Sequence, residues 1–131
     1  MKRISVVICL LGVALMAQDR NPWVYRDRPN WDRSWNDRPM PRAGACFFKD
    51  EGFRGDRFCV TRGDRLPSLP GSFGDNITSM QLFGNARTTV FNDRDFRGGK
   101  ADFNRSIRDL RRERFRDGHT WNDRISSIIV R

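Results

Sequence analysis

The chain has 131 residues, of which 31% are charged, and it carries a formal net charge of +9. This length allows one domain of ordinary size with at most a tail. The chain has one histidine, His119, and no phosphate-cradling glycine loop or Cys-His set, so we predict that it is not an enzyme.

The first 17 residues have the form of a secretory signal peptide. A cationic head at residues 1–3 precedes an uncharged apolar run at residues 4–17, which is too short to span a bilayer comfortably. We expect cleavage after Ala17, with an uncleaved anchor as the alternative. Two of the positive charges lie in this leader, so the exported chain would carry about +7 and no membrane span. The predicted location is secreted or periplasmic.

Residues 18–44 form a segment of biased composition, called the arm below. Four prolines, six arginines, four aspartates and three tryptophans leave it without a helical or a strand period. The default prediction is an extended, flexible linker. Residues 35–38 repeat residues 121–124 letter for letter, but Pro39 then stands where the other copy has Ile125. Two alternatives to a free linker stay open. The arm could dock on the domain in imitation of that loop, or its tryptophans could attach it to a surface or a partner.

From Ala45 onward, short segments rich in aromatic and β-branched residues alternate with glycine-containing turns. Such segments are typical of β-strands, and turn signals every 8 to 15 residues are typical of a β-sandwich. Residues 106–116 are predicted to be a long irregular connection. The predicted strands are residues 45–48, 57–61, 77–83, 88–91, 100–103 and 125–130.

Two cysteines, Cys46 and Cys59, remain once the leader and its Cys9 are removed. They lie in two predicted strands on either side of one tight connection and enclose 12 residues. In the oxidising compartment that an exported chain meets, an even pair favours a disulfide over two free thiols. Closing this loop would stabilise the fold by about 3 kcal/mol.

The region from residue 45 to the end contains one hairpin pattern twice. Residues 48–55 align with residues 91–98, and each has an aromatic residue, four residues, a second aromatic residue, one residue and a glycine. The two aromatic rings can pack across the fold-over, and glycine supplies a backbone with positive φ. The six positions are Phe48, Phe53 and Gly55 in the first copy and Phe91, Phe96 and Gly98 in the second.

Each copy is followed by an oxygen-rich string in front of a strand, GDNITS at residues 74–79 and NDRISS at residues 122–127. Carboxylate, amide and hydroxyl oxygens are the ligands that calcium prefers, although the same order of residues is also a turn signal. The two tandem units, at about residues 45–86 and 87–131, predict two Greek keys. The predicted fold is an all-β, two-sheet Greek-key sandwich of about eight strands.

Residues 45–131 resemble the βγ-crystallin family. The family signature combines the hairpin pattern above with a calcium motif of two Asn or Asp, two variable residues, Ser or Thr, and Ser. This chain carries both elements twice, in the right order. The resemblance implies a two-sheet wedge with two calcium ions between its halves. It also implies that each ion is held by the string of one Greek key and by the first hairpin of the other.

The second string fits this motif at every position. The resemblance implies that Asn122 and Asp123 fill the paired polar positions and that Ser126 supplies a hydroxyl ligand. Arg124 would contribute its backbone carbonyl, so its cationic side chain must point toward solvent.

The first string departs from the motif, because Gly74 stands where Asn or Asp is expected. The implied ligands are then Asp75, the carbonyl of Asn76 and the hydroxyl of Thr78. We expect this string to bind calcium more weakly than the second one, or not at all.

The hairpins are implied to contribute ligands from around Asp50 and Glu51 in the first half and from around Asn92 and Asp93 in the second half, mostly through backbone carbonyls. Ser79 and Ser127, the last residues of the two strings, are interpreted as structural serines beneath the aromatic corners rather than as ligands.

Two functions from different classes remain. One is a calcium-binding structural protein that serves the cell envelope or the response to stress. The other is an inhibitor of secreted proteases, because the resemblance extends to a bacterial metalloproteinase inhibitor; its reactive loop would be residues 65–71, which hold two prolines. The basic residues 108–116 could contact an envelope polyanion. No nucleic-acid motif accompanies them, so no specific nucleic-acid partner is expected.

Overall fold

The computed structural model describes residues 21–25 and 30–131. The predicted signal peptide at residues 1–17 lies outside these described residues. No helix within them has the length and apolar character needed to cross a membrane.

The described residues contain seven strands and two short 3-10 turns. All six predicted strand regions contain a strand, and the structure adds the very short β3. Strands β4 and β7 begin two residues later than predicted, because Ile77 and Ile125 use their carbonyls for hydrogen bonds between loops. The 3-10 turns are Arg33–Asp37 and Leu110–Arg112, and the strands are β1 (Gly44–Asp50), β2 (Arg54–Thr61), β3 (Arg65–Leu66), β4 (Ser79–Phe83), β5 (Thr88–Phe91), β6 (Lys100–Phe103) and β7 (Ser127–Val130).

The strands form two antiparallel sheets, one in the order β2-β1-β4 and one in the order β3-β7-β5-β6. Each half of the chain lends one segment to the sheet of the other half. Strand β3, from the first half, pairs with β7. In return, Ile107 of the second half exchanges two backbone hydrogen bonds with Met80 of β4, at 2.8 and 3.0 Å. The predicted Greek-key sandwich is confirmed, with the eighth strand reduced to this single bridge.

Buried apolar side chains from both sheets form one cluster. Alternate residues of a strand face opposite sides, yet residues 44–48 of β1 are all buried. On one face, Phe47 stacks on Phe58 with ring centroids 5.2 Å apart. On the other face, the Sγ of Cys46 lies 3.5 Å from the Sδ of Met40, which belongs to the arm. The arm therefore closes the second face of this sheet.

The described part of the arm differs from the predicted flexible linker, because it packs on the domain. Trp23 is fully buried and Trp35 is 3% exposed. The turn Arg33–Asp37 is capped by Asp32, whose carboxylate accepts a hydrogen bond from the Ser34 N–H at 2.8 Å. Each aromatic side chain can bury about 150–250 Å². Such burial needs no helical or strand period, so a segment without a period can still pack on the domain. The repeated residues 35–38 lie beside β2 and do not imitate the loop at residues 121–124.

The predicted disulfide between Cys46 and Cys59 is present. The two cysteines are cross-strand partners in β1 and β2, with Cα atoms 4.0 Å apart. The bond joins the two strands of the first hairpin, beneath the arm residue Met40.

Candidate metal centre

The two hairpins have nearly the same backbone and position the two strings. Phe53 and Phe96 both adopt positive φ, at 62° and 60°, as do Gly55 and Gly98, at 82° and 79°. Positive φ is costly for a bulky residue, so both hairpins are held in this shape by their surroundings. The aromatic corners pack as the pattern suggested, with ring centroids 5.9 Å apart for Phe48 and Phe53 and 5.7 Å apart for Phe91 and Phe96.

A buried serine fastens each hairpin. The Ser79 hydroxyl accepts a hydrogen bond from the Phe53 N–H at 3.1 Å and donates to the Asp50 carbonyl at 2.5 Å. Ser127 makes the same pair of bonds with Phe96 and Asp93, at 3.0 and 2.6 Å. Both serines thus serve the hairpin backbone, and the carbonyls of both aspartates accept from them.

The two strings face each other across the interface between the halves. Asp75 and Asp123 both have left-handed backbones, with φ of 56° and 55°, a conformation that Asp tolerates better than most residues. The Asp75 N–H donates to the carbonyl of Ile125 at 3.1 Å, and the Asp123 N–H donates to the carbonyl of Ile77 at 3.0 Å. These reciprocal bonds bring one carboxylate from each half close together.

Each string lies beside the hairpin of its own half, which corrects the arrangement implied by the family resemblance. The Thr78 N–H donates to the Phe48 carbonyl at 2.9 Å, and the Ser126 N–H donates to the Phe91 carbonyl at 2.8 Å. The reason is the strand pairing: β4 runs against β1, and β7 runs against β5. The contribution across the halves comes from the opposite string.

An open cleft of about 350 Å³ lies between the strings and is lined by polar groups of both halves: Asp75, Asn92, Asn122, Asp123 and Arg124. Just beside it, the Ser126 hydroxyl donates a hydrogen bond to Oδ1 of Asp75 at 3.0 Å. The cleft therefore collects carboxylate, amide and hydroxyl oxygens from both strings and from the second hairpin, and Asp75 and Asn122 are 47 residues apart in the sequence.

Two amide oxygens at this cleft, Oδ1 of Asn92 and Oδ1 of Asn122, are buried and have no hydrogen-bond partner among the described residues. Buried polar side-chain atoms nearly always have a partner. The amide nitrogen of Asn122 donates to Oδ2 of Asp123 at 3.1 Å, so this amide also orients the neighbouring carboxylate. Unpaired neutral oxygens next to carboxylates are a donor set that fits a hard cation such as calcium.

The electrostatics of the cleft point the same way. Burial raises the pKa of the Asp123 carboxyl above its ordinary value, and the charge of Asp75 raises that pKa further. The hydrogen bond from Asn122 lowers it and so opposes part of this shift. A bound cation would relieve both the burial cost and the repulsion. No group of three or more His, Cys, Asp or Glu side chains suited to a metal occurs in the described residues. Any metal here would thus rely on two carboxylates and on neutral oxygens.

Four of the predicted ligands do not line the cleft. The carboxylates of Asp50 and Asp93 fold back against Gly55 and Gly98 of their own hairpins. Neither Asn76, whose predicted ligand is its backbone carbonyl, nor Thr78 lines this cleft, and the side-chain amide of Asn76 donates a long hydrogen bond to the Ser72 carbonyl at 3.4 Å. Of the expected pair Asn92 and Asp93, it is Asn92 that lines the cleft.

The Arg124 side chain is turned toward the surface, where its guanidinium lies 3.0 Å from Nδ1 of His119 and 6.0 Å from the centre of the Phe115 ring. This position leaves the Arg124 backbone, and not its charge, to serve the cleft.

Residues 65–71, the candidate inhibitor loop, are anchored at several points. They begin as strand β3, in which Leu66 is 3% exposed. The Pro67 carbonyl accepts a hydrogen bond from the Asp95 N–H at 2.9 Å, and Pro70 is buried. This segment is an interstrand connection in which Leu66 and Pro70 are buried, while Arg65, Pro67 and Gly71 are exposed.

The basic residues 108–116 are partly neutralised by acidic neighbours. Arg111 forms ion pairs with Glu51 at 2.6 Å and with Asp109 at 2.8 Å, and Arg105 pairs with Glu113 at 2.8 Å. Such exposed pairs contribute little stability and reduce the net positive field of this face.

Several solved structures have a similar fold. A domain solved in connection with the evolution of the eye-lens β-γ-crystallin fold is 25% identical, with a TM-score of 0.57 over 71% of this chain and 88% of that chain. A βγ-crystallin domain from Flavobacterium johnsoniae is 26% identical, with a TM-score of 0.55 over 66% and 92%. The Ca²⁺-bound βγ-crystallin domain of Abundant Perithecial Protein from Neurospora crassa is 18% identical, with a TM-score of 0.54 over 71% and 92%, a likeness of fold alone. No protein-family model and no curated protein sequence matches the chain.

Proposed function

This chain belongs to the βγ-crystallin family, and on that premise we propose that it is an exported, non-enzymatic structural protein of the envelope or of stress that binds calcium. The observation that carries the proposal is the cleft between the two strings. There, two carboxylates from different halves lie beside two buried amide oxygens that have no partner among the described residues.

The cation would be held by the carboxylates of Asp75 and Asp123, by the amide oxygens of Asn92 and Asn122, and by the hydroxyl of Ser126. The Arg124 carbonyl is a further candidate. Because the string occurs twice, the proposal allows up to two ions, with weaker binding or none expected at the first string. Calcium supplies positive charge to this cleft. Because the ligands come from both halves, binding would favour the packed domain over the unfolded chain.

The expected affinity is modest. Two carboxylates among neutral oxygens place the dissociation constant at roughly micromolar to millimolar, the range of extracellular modules. Calcium at about 100 times its dissociation constant would then add about 2.7 kcal/mol to the free energy of unfolding. Stabilisation outside the cell is the role that follows from these numbers.

Export is supported by the disulfide between Cys46 and Cys59, since such bonds persist in oxidising compartments. We therefore place the protein in the periplasm or outside the cell. Protease inhibition has less support, because residues 65–71 are anchored, and contact with an envelope polyanion has less support, because the basic face is partly paired.

The test is the thermal midpoint of the exported chain in excess calcium and in chelator. Calcium at about 100 times its dissociation constant should raise the midpoint by roughly 10–20 °C, from about 2.7 kcal/mol and 4–8 °C per kcal/mol. The double variant Asp75→Asn/Asp123→Asn should lose most of this rise. Asp117→Asn is the matched control, because Asp117 is exposed and has the same left-handed φ of 55°.

Two results would contradict the proposal. Calcium could leave the midpoint of the unmodified chain unchanged, or the double variant could keep the full rise. A calorimetric titration with calcium on the same three proteins distinguishes binding at this cleft from binding elsewhere.

A further inference from the structure

Strand β2 is a long strand at the edge of its sheet. It lies at the end of the sheet β2-β1-β4 and is eight residues long. One side of its backbone pairs with β1. Just beyond the two strands, the Arg62 N–H donates to the Ala43 carbonyl at 2.9 Å and continues this pairing. Backbone groups on the other side of an edge strand form a template on which another strand can pair.

Side chains of the arm form hydrogen bonds with these outward-facing backbone groups. Oδ1 of Asn36 accepts the hydrogen bond of the Arg57 N–H at 3.1 Å, and the indole of Trp31 donates to the Arg57 carbonyl at 2.8 Å. The phenol of Tyr25 donates to the Cys59 carbonyl. The arm thus follows β2 in the antiparallel direction but satisfies it with side chains.

At the end of β2 the contact continues, since Nδ2 of Asn21 donates to Oγ1 of Thr61 at 2.8 Å. Outward-facing residues 57, 59 and 61 of β2 therefore each meet a side chain of the arm. The spacing of two residues is the period expected for one edge of a strand.

A stack of aromatic rings and guanidinium groups holds the arm in place. Arg38 lies over the rings of both Trp23 and Trp35, at 5.3 and 4.2 Å, and Tyr25 stacks on Trp35 with centroids 5.5 Å apart. Arg57 of β2 lies 5.7 Å from the Trp23 ring.

Arg57 also ties the strand to the arm backbone. Its guanidinium donates to the carbonyls of Asn36 and Arg38, at 2.8 and 2.7 Å, and the residue is only 9% exposed. Burial lowers the pKa of this guanidinium, which nevertheless stays charged as arginine does in proteins. Such a buried charge requires its partners, so the arm and β2 are strongly coupled.

The corresponding edge of the second sheet, β6, is protected in another way. It is four residues long and carries the exposed charges of Lys100 and Asp102. Short length and charge are two recognised means of preventing edge pairing. Strand β2 is twice as long and has the uncharged run Phe58, Cys59 and Val60.

We propose that the arm is an intramolecular cover that keeps the β2 edge from pairing with the β2 edge of a second copy of this chain. Two identical antiparallel edges can pair about a two-fold axis, which makes the second copy the partner that fits an uncovered edge best. The inference does not depend on calcium.

The experiment releases the arm in the exported chain with its disulfide intact. In Trp23→Ser/Trp35→Ser the tryptophan anchors are lost, and sedimentation velocity over a concentration series should reveal a dimer at least about tenfold tighter than any self-association of the unmodified chain. Val24→Ser is the control, because Val24 lies in the same arm and is 50% exposed; it should behave like the unmodified chain.

Adding Thr61→Pro to the double variant tests the surface. Proline cannot donate a hydrogen bond to a new strand, so the chain should return to a monomer. A folded double variant that stays monomeric overturns the proposal, and so does a dimer that persists with Thr61→Pro.

A milder variant covers the case in which the double variant does not fold. Asn36→Ala keeps both tryptophans and removes the acceptor of the Arg57 N–H. Hydrogen exchange at the Arg57 amide should then accelerate at least about tenfold, while the Arg62 amide, bonded to Ala43, should be unchanged. An unaltered rate at Arg57 overturns the proposed cover.

Discussion

The two halves of this domain share one backbone plan but secure it with different chemistry. In the first half, Cys46 and Cys59 are cross-strand partners joined by a disulfide. At the equivalent place in the second half, Thr89 and Asp102 are cross-strand partners, and the threonine hydroxyl donates a hydrogen bond to the carboxylate. The covalent bond is found in the hairpin whose long edge also needs the arm.

The two strings show the same contrast. In the second string, Asn122 holds the carboxylate of Asp123 through its amide nitrogen. In the first string, Gly74 has no side chain to do this, and Asp75 is instead held by Ser126 from the other half. A repeated backbone therefore does not require repeated side chains, because a partner across the interface can replace one that is missing within the loop.

The largest difference between the halves should appear when the two cross-strand links are removed separately. Cys46→Ala/Cys59→Ala should lower the free energy of unfolding by about 3 kcal/mol, because the disulfide restricts the unfolded chain. Thr89→Val should cost only about 1 kcal/mol, the net value of one hydrogen bond. Urea unfolding of both variants measures the two values. Equal losses would show that the halves are secured equally.

A smaller effect is expected from the pH dependence of Asp123. Its folded pKa is raised, so ionisation costs stability as the pH rises through that pKa, and the cost is absent below the pKa of the unfolded chain. In chelator at neutral pH, Asp123→Asn should therefore be slightly more stable than the unmodified chain. The difference should shrink as the pH falls through the folded pKa. Partial exposure of the carboxyl keeps the effect well below that of the disulfide.

Calcium should reverse this order at neutral pH, because the ionised carboxylate is then a ligand. Thermal midpoints of both proteins from acidic to neutral pH, with and without calcium, give the comparison. If Asp123→Asn were less stable in chelator at every pH, the carboxylate would be stabilised by the apo fold and the repulsion with Asp75 would be unimportant.

The smallest effect is expected from making the first string resemble the second. An added Cβ at Gly74 would meet nothing within 4 Å, so Gly74→Asn can be accommodated. An amide there could orient Asp75 as Asn122 orients Asp123, at about 0.5–1.5 kcal/mol for one hydrogen bond. The calcium dissociation constant should then fall by about two- to tenfold. Gly74→Ala is the control, because it adds the Cβ without the amide, and an equal gain there would exclude the orienting role.

The hairpins, the strands and the disulfide could be predicted because each depends on residues that are close in sequence. Phe91, Phe96 and Gly98 specify a fold-over locally, and the structure places them as the pattern suggested. The short β3 was missed, since two residues that pair only with β7 carry no period of their own. Asn92 and Asp93 could not be told apart as the hairpin ligand, because the direction of each side chain depends on how the hairpin twists.

The sequence by itself determined the two Greek keys, the order of the hairpins and strings, and the residues that could offer oxygen to a cation. Only the tertiary structure decided which oxygens meet, because Asp75 and Asp123 are brought together by the reciprocal hydrogen bonds of Ile77 and Ile125 across the halves. It also decided the place of the arm, whose tryptophans needed a surface to bury against. Local patterns specify local geometry, whereas contacts between distant segments depend on the packing of the whole chain.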